Sequence, residues 1–177
     1  EMYVAASLYL GVDQCTEDPK VGQRIAAVFD KQKPLLAMYN SDGTIERMQA
    51  KEVMVHHQWN GAAYRTKDKL KSAVFVMPKE GVAFWNDNLA IPVGAKNPEG
   101  AKKFINWMMA PENIALASNF TGYGSGIKGA DKFMDAALKA DPGVNPSEEM
   151  RKRFHPNQIC SPKALELRNK IWTRLKR

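Results

Sequence analysis

The chain has 177 residues, of which 44% are hydrophobic and 25% are charged, and its formal net charge is +7. This composition is ordinary for a globular protein and excludes the fibrous and the largely disordered classes. No apolar run approaches the length of a membrane span, and no basic segment followed by an apolar one stands at Glu1, so we expect neither a spanning helix nor a signal peptide in this sequence.

The first half of the chain alternates helical and extended patterns. Residues 1–11 carry the apolar pattern of a helix that is already under way at Glu1. Asp18 and Pro19 are a capping residue and a first-turn proline, and they predict a helix that runs to about residue 31. The elements predicted next are a strand at 35–39, a short helix at 44–50, a strand at 53–58, a helix opened by Trp59, a strand at 73–77 and an extended segment at 82–91.

From residue 97 onward the pattern becomes helical. Two start signals, at 97–99 and 110–112, each contain a proline followed by a glutamate and predict two consecutive helices as far as residue 120. A helix at 131–139, an irregular stretch through 156 and a closing helix from Pro162 complete the order. The alternation predicts an α/β fold with a central, mixed and largely parallel sheet, and ligands bind such sheets beyond the carboxyl ends of the strands.

The positive charge is concentrated at the carboxyl-terminal end. Residues 151–177 carry nine Lys or Arg and a single acid, Glu166, so this segment is +8 and the rest of the chain is −1. A solvated face on a docked helix is the simplest interpretation. The alternative is a basic helical module that binds nucleic acid or an anionic membrane, although only Phe154 and Trp172 interleave aromatic rings with the charges.

The cysteine and histidine residues indicate no metal site and no cofactor. Cys15 and Cys160 are far apart in sequence and have no metal-ligand spacing, so they are either a disulfide or two unpaired thiols. His56 and His57 are adjacent on a predicted strand and therefore face opposite sides of it. Because no nucleophile elbow, phosphate loop or zinc-helix motif is present either, we expect a protein that is not an enzyme.

Two tryptophans and one carboxylate form the candidate ligand site. Trp59 and Trp85 lie at or near the ends of predicted strands, and Asp87 shares a side with Trp85 if that segment is extended. Indole faces with one compensating carboxylate suit an organic ammonium ion. Tyr123 in a glycine-rich loop can add a hydroxyl, and Arg65 can receive a ligand carboxylate. Core packing of each tryptophan, loop packing of the tyrosine and a surface position for the arginine remain the alternatives.

Several segments, in the same order, resemble the polyamine-type periplasmic solute-binding proteins that serve ABC importers: residues 10–11, 39–42, 59–61, 78–81, 85–87, 90–92, 97–99 and 122–123. The resemblance covers nearly the whole chain. It implies a periplasmic-binding-protein-like (type II) fold, a location in the Gram-negative periplasm and a membrane permease as partner. It also implies ligand contacts at Trp59, Trp85, Asp87, Tyr123 and Glu1.

The family's proteins are longer than this chain. The resemblance implies that 1–85 and 129–177 form the second, carboxyl-terminal lobe, that 86–128 is a returning segment of the first lobe, and that the N-terminal lobe is absent. The apolar stripe on the helices of 97–120 would then lack a partner sheet, so we expect the chain to dimerise or swap. Because Ala62 stands where some members carry an acid, a 4-aminobutyrate-like ω-amino acid remains an alternative to putrescine or spermidine.

Overall fold

The structure is a computed structural model and describes residues 1–176. It separates into two units. Unit 1 comprises residues 1–39, 77–85 and the described chain from 148 onward, and unit 2 comprises 40–76 and 86–147. The α-helices are Met2–Leu10 (α1), Pro19–Gln32 (α2), Thr44–Gln49 (α3), Asn60–Thr66 (α4), Pro98–Met108 (α5), Pro111–Thr121 (α6), Ala136–Ala140 (α7), Glu148–Arg151 (α8) and Pro162–Leu175 (α9).

Helices α1, α2 and α9 form the core of unit 1. The predicted start of α2 is confirmed, because the Asp18 side chain accepts a hydrogen bond of 2.8 Å from the backbone N–H of Lys20. Helices α2 and α9 approach closely at Gly22, where a Cβ atom would lie 3.0 Å from the side chain of Leu167. The buried core consists of Tyr3, Ala6, Ile25, Ala26, Phe29, Ile171 and Leu175.

A two-stranded parallel sheet also belongs to unit 1. Strand β1, Val82–Phe84, pairs with strand β2, Phe154–Pro156, in the register Val82 to Phe154. The rings of Phe84 and Phe154 stack with their centroids 5.1 Å apart. Because the strands are parallel, their carboxyl ends lie at the same edge, and Trp85 directly follows β1 at that edge.

A disulfide joins two distant segments of unit 1. Cys15 and Cys160 are bonded with an S–S distance of 1.98 Å and a Cα–Cα distance of 5.1 Å, across a sequence separation of 145 residues. The disulfide prediction is therefore confirmed, and the alternative of two unpaired thiols is wrong. The bond connects the segment between α1 and α2 to the residue before the N-cap of α9.

Unit 2 contains α3 to α7, and its interior is formed mainly by small side chains. Its buried apolar residues are Ala62, Ala63, Ala115, Ala130, Leu138 and Val144. Larger apolar side chains of α5 and α6 remain exposed, for example Phe120 at 83%. Within residues 1–176, no helix is both long and apolar enough to cross a lipid bilayer.

Several predicted strands are wrong as hydrogen-bonded elements. Within the described residues, 35–39, 53–58 and 73–77 form no ladder, and the extended segment from 82 is paired only as far as Phe84. A β-branched or aromatic pattern predicts an extended backbone, but a strand also needs a neighbour that accepts its hydrogen bonds. Such a neighbour is missing here, and apolar side chains in these segments are exposed, including Met54 at 95%.

The carboxyl-terminal third also differs from the prediction. The helix predicted at 131–139 is split into a 3₁₀ turn, Ala130–Lys132, and α7. The side chain of Asn119 accepts a hydrogen bond from the backbone N–H of Asp135 at 2.9 Å, so this N–H is diverted from a helical partner. The stretch predicted as irregular contains α8 and β2. The lobe boundaries implied by the resemblance remain a prediction.

Candidate functional site

Trp59 stands at the start of α4 in unit 2. It is the N-cap residue, its backbone is extended, and its carbonyl oxygen accepts a hydrogen bond of 2.8 Å from the N–H of Ala63. This bond fixes the backbone of Trp59 to the first turn of the helix. Trp59 is half-buried.

Tyr123 lies against the same turn of α4. A Cβ atom at Gly61 would lie only 2.6 Å from two carbons of the Tyr123 ring, so only a glycine leaves room for the ring. Tyr123 follows Gly122, the left-handed residue (φ 78°) that ends α6. A Cβ atom at Gly122 would lie 2.9 Å from the carbonyl oxygen of Gly61. Two glycines therefore allow the end of α6 to reach the start of α4, and they bring Tyr123 close to the backbone that carries Trp59.

A polar segment at 141–145 holds both ends of α4. The side-chain amide of Asn60 donates to the carbonyl oxygen of Gly143 at 3.1 Å. Lys67, directly after the helix, makes an ion pair of 2.6 Å with Asp141, whose side chain is 10% exposed. Residues 141–143 fall within the stretch that the sequence predicts as irregular, and the sequence indicates neither contact. The Asp-Pro-Gly motif marks the turn, but nothing local indicates which helix it contacts.

Arg65 lies on α4, away from the start of the helix. Its carbonyl oxygen accepts hydrogen bonds from the side chain of Gln49 and from the N–H of Asp68. Its Nε atom is buried and has no hydrogen-bond partner among the described residues. A ligand that arrives from solvent cannot reach this nitrogen without a movement of the protein around it.

The remaining candidates are exposed and belong to different units. In unit 1, Glu1 is the N-cap of α1 and Trp85 is 39% exposed. In unit 2, Asp87 is exposed. Strand β1 ends at Phe84, so no ladder fixes the backbone of the next residues, and the shared side of Trp85 and Asp87 remains a prediction. Of the six candidates, Trp59 and Tyr123 meet the same turn of α4, which Trp59 begins and against which the Tyr123 ring packs at Gly61.

Three carboxylates act on Tyr64, a residue of α4. Burial raises the pKa of Tyr64, and the charges of Asp68, Asp135 and Asp141 raise it further. The phenol therefore stays neutral and protonated at physiological pH. Within residues 1–176, no group of three or more His, Cys, Asp or Glu side chains is arranged to hold a metal ion.

Comparison with known proteins decides the family. The model of the bacterial extracellular solute-binding proteins matches residues 2–146. The chain belongs to this family. This chain is 29% identical over 182 residues to the putrescine-binding periplasmic protein SpuD of Pseudomonas aeruginosa. The match covers 99% of this chain and 50% of that relative. The chain is 33% identical over 155 residues to the spermidine/putrescine-binding periplasmic protein 1 of Haemophilus influenzae, covering 88% and 43%.

A solved structure supports the same fold. This chain superposes with a TM-score of 0.90 and 23% identity on a solved structure described as a candidate spermidine/putrescine ABC transporter from Listeria monocytogenes. The superposition covers 99% of this chain and 54% of that one. The likeness confirms the predicted α/β, periplasmic-binding-protein-like fold class. This chain spans about half the length of the curated relatives that it matches.

Proposed function

We propose that this chain supplies part of the periplasmic ligand-binding subunit of an ABC importer, and that the subunit captures a small amine-bearing solute. The observation that carries the proposal is that two aromatic residues meet the first turn of α4: Trp59 begins it, and the Tyr123 ring packs against Gly61 within it. Aromatic faces attract organic ammonium ions. Relatives named for binding putrescine and spermidine support a ligand of this class.

The proposed contacts divide into aromatic and acidic groups. Trp59, Trp85 and Tyr123 supply apolar surface and cation-π contact, while Asp87 supplies the carboxylate that a desolvated ammonium requires. Glu1 is the second acid. The ligand is bound and released unchanged, and its capture involves no covalent step. Differential contacts with the ligand favour the conformation that the membrane permease recognises.

The choice of ligand depends on Arg65. If its guanidinium meets a ligand carboxylate, the ligand is an ω-amino acid such as 4-aminobutyrate; if not, a diamine or polyamine such as putrescine or spermidine fits better. The names of the relatives favour the second alternative. Replacing Arg65 with Ala distinguishes the two alternatives. The affinity for an ω-amino acid should fall if Arg65 binds its carboxylate, whereas the affinity for a diamine or polyamine should not change.

The basic carboxyl-terminal segment finds no support as a nucleic-acid or membrane surface. Three of its nine cations pair with acids of unit 1: Lys163 with Glu17, Lys170 with Glu166 and Arg174 with Asp30, at 2.7 to 3.2 Å. Paired cations on the faces of a docked helix release few counterions on contact with a polyanion. The segment therefore agrees with the simpler interpretation, the solvated face of α9.

Tryptophan fluorescence tests the proposal. The chain is titrated with putrescine, spermidine and 4-aminobutyrate, and the measurement is repeated with Trp59→Phe and with Trp107→Phe. Trp107 is half-exposed on α5 and outside the proposed site, so it is the matched control. We expect a saturable change with one amine that is smaller in Trp59→Phe, where Trp85 is the remaining reporter at the site, and that is kept in Trp107→Phe. An unchanged response in Trp59→Phe would contradict the proposed site.

A further inference from the structure

The two sulfurs of the Cys15–Cys160 disulfide have unlike surroundings. Arg168, on α9, places its Nη2 atom 3.4 Å from Sγ of Cys160, and the same nitrogen donates to the carbonyl oxygen of Gln14 at 3.0 Å. The guanidinium carbon also lies 4.9 Å from the centroid of the Tyr3 ring. A guanidinium remains charged throughout the physiological pH range. Cys160 therefore has a permanent positive charge beside its sulfur.

Cys15 has a carboxylate nearby instead. The side chain of Asp13 accepts a hydrogen bond of 2.9 Å from the backbone N–H of Cys15. Burial raises the pKa of the nearby Tyr3, the charge of Arg168 lowers it, and the charge of Asp13 raises it, so both charges act within one small region. A negative neighbour disfavours a thiolate and a positive one favours it. The charges therefore stabilise a thiolate at Cys160 more than one at Cys15.

The other charges of this region do not reverse the asymmetry. Glu17 and Asp18 are the remaining acids of the segment. Asp18 caps α2 through the backbone N–H of Lys20, and the Glu17 carboxylate accepts a hydrogen bond from the Ser161 hydroxyl and pairs with Lys163 at 3.2 Å. These two contacts hold the pKa of Glu17 below its ordinary value. The charge of Glu17 is thus compensated by the cation beside it, and Arg168 is the cation in contact with a sulfur.

We propose that this disulfide is a thiol-exchange site in which Cys160 is the leaving group. An incoming thiolate attacks Sγ of Cys15 and forms a new S–S bond with it. The electron pair of the old bond goes to Sγ of Cys160, which departs as a thiolate beside Arg168. Exchange is faster when the leaving thiol has a lower pKa.

The natural reactant for this site is a dithiol. Its second thiolate attacks the sulfur that is bonded to Cys15, so Cys15 leaves and takes a proton from water. The dithiol becomes a disulfide, and the Cys15–Cys160 pair gains two electrons. The segment stays attached to its neighbours afterwards, because the Gln14 side chain donates to the carbonyl oxygen of Pro156 at 3.0 Å and Lys163 holds Glu17. Arg168 therefore remains beside Cys160 when the bond is open.

Trapping of the mixed disulfide tests the direction of attack. The oxidised chain is exposed briefly to glutathione, quenched with acid, alkylated and mapped by peptide mass spectrometry. We expect glutathione on Cys15 and the alkyl group on Cys160. The ratio of chains with glutathione on Cys15 to chains with glutathione on Cys160 should be about five or more, since a difference of about one unit in thiol pKa changes the exchange rate severalfold. An even ratio, or glutathione mainly on Cys160, would overturn the proposal.

Variants separate the charge of Arg168 from its packing. Arg168→Met should bring the ratio towards one, and Arg168→Lys should restore part of it. Arg174→Met is the matched control, because Arg174 lies on the same helix and pairs with Asp30 on the surface; it should leave the ratio unchanged. Equal ratios in the Arg168 and Arg174 variants would also overturn the proposal.

A thiol titration gives an independent readout. In Cys15→Ser, the rate of alkylation of Cys160 as a function of pH should report a pKa below the ordinary value of about 8.5. Adding Arg168→Met should raise that pKa by about one unit, and unfolding in urea should restore the ordinary value. A pKa that is the same in the folded and the unfolded chain would refute the role of Arg168. If the variants fail to fold, the trapping experiment on the unmodified chain still tests whether Cys160 is the leaving group.

Discussion

Gly61→Ala is the sharpest test of how the two aromatic residues are held. The substitution adds one methyl group to the first turn of α4, where it would lie 2.6 to 2.7 Å from three carbons of the Tyr123 ring. Carbon atoms in favourable contact are about 3.5 to 4.0 Å apart. The ring of Tyr123 must therefore move by about 1 Å, away from the turn that Trp59 begins.

Two opposing terms set the size of the effect on stability. Overpacking of this kind costs about 1 to 3 kcal/mol. Gly61 is inside a helix, so alanine recovers about 0.5 to 1 kcal/mol through its higher helix propensity. We expect a net loss of about 1 kcal/mol in the free energy of unfolding, and at most about 2.5 kcal/mol. Displacement of the ring should weaken amine binding about tenfold, the equivalent of about 1.4 kcal/mol.

Urea unfolding and amine titration measure the two effects. Gly126→Ala is the control, because a Cβ atom there meets no atom within 4 Å and Gly126 has no positive φ. In a chain that already carries Tyr123→Ala, the same substitution should cost little stability, since the clashing ring is then absent. A Gly61→Ala chain that is as stable as the unmodified one and binds amines equally well would refute the arrangement.

Three further predictions concern stability and association. Breaking the disulfide with Cys15→Ser and Cys160→Ser should lower the free energy of unfolding by up to about 5 kcal/mol, since a loop of 145 residues is released in the unfolded chain; a loss below about 1 kcal/mol would contradict this. Lys67→Met should lower the free energy of unfolding by about 1 to 3 kcal/mol, because the mostly buried carboxylate of Asp141 loses its ion-pair partner. Removing the exposed ion pair between Lys102 and Glu99 should change the free energy of unfolding little. Light scattering should give a mass above the 19.8 kDa of a single chain, because large apolar side chains are exposed at and between α5 and α6: Phe104, Trp107, Met109, Leu116 and Phe120. A monomer at every concentration would exclude association.

The helices could be predicted from the sequence because their signals are local. Asp18 with Pro19, Asn97 with Pro98, and Pro162 each mark a helix start that the structure contains. A capping side chain acts on a backbone N–H two or three residues away, so nothing distant is needed to recognise it. The left-handed glycine that ends α6 is equally local.

The sheet and the site contacts could not be predicted in the same way. The pattern at 53–58 and 73–77 indicates an extended backbone, but whether it pairs depends on a neighbour elsewhere, and none pairs with it among the described residues. Strand β2 is only three residues long and lacks a recognisable alternation. The packing of Tyr123 on Gly61 joins residues 62 apart, and neither residue indicates the other.

Calorimetric titration of the chain with putrescine, spermidine and 4-aminobutyrate tests the central claim most directly. We predict saturable binding of at least one amine, and a loss of about tenfold or more in affinity in Asp87→Asn, since a buried ammonium needs a compensating charge. Asp131→Asn removes an exposed carboxylate of the same unit as a control and should bind normally. No saturable heat with any amine, or equal affinity in Asp87→Asn, would contradict the claim that this solute-binding protein captures an amine.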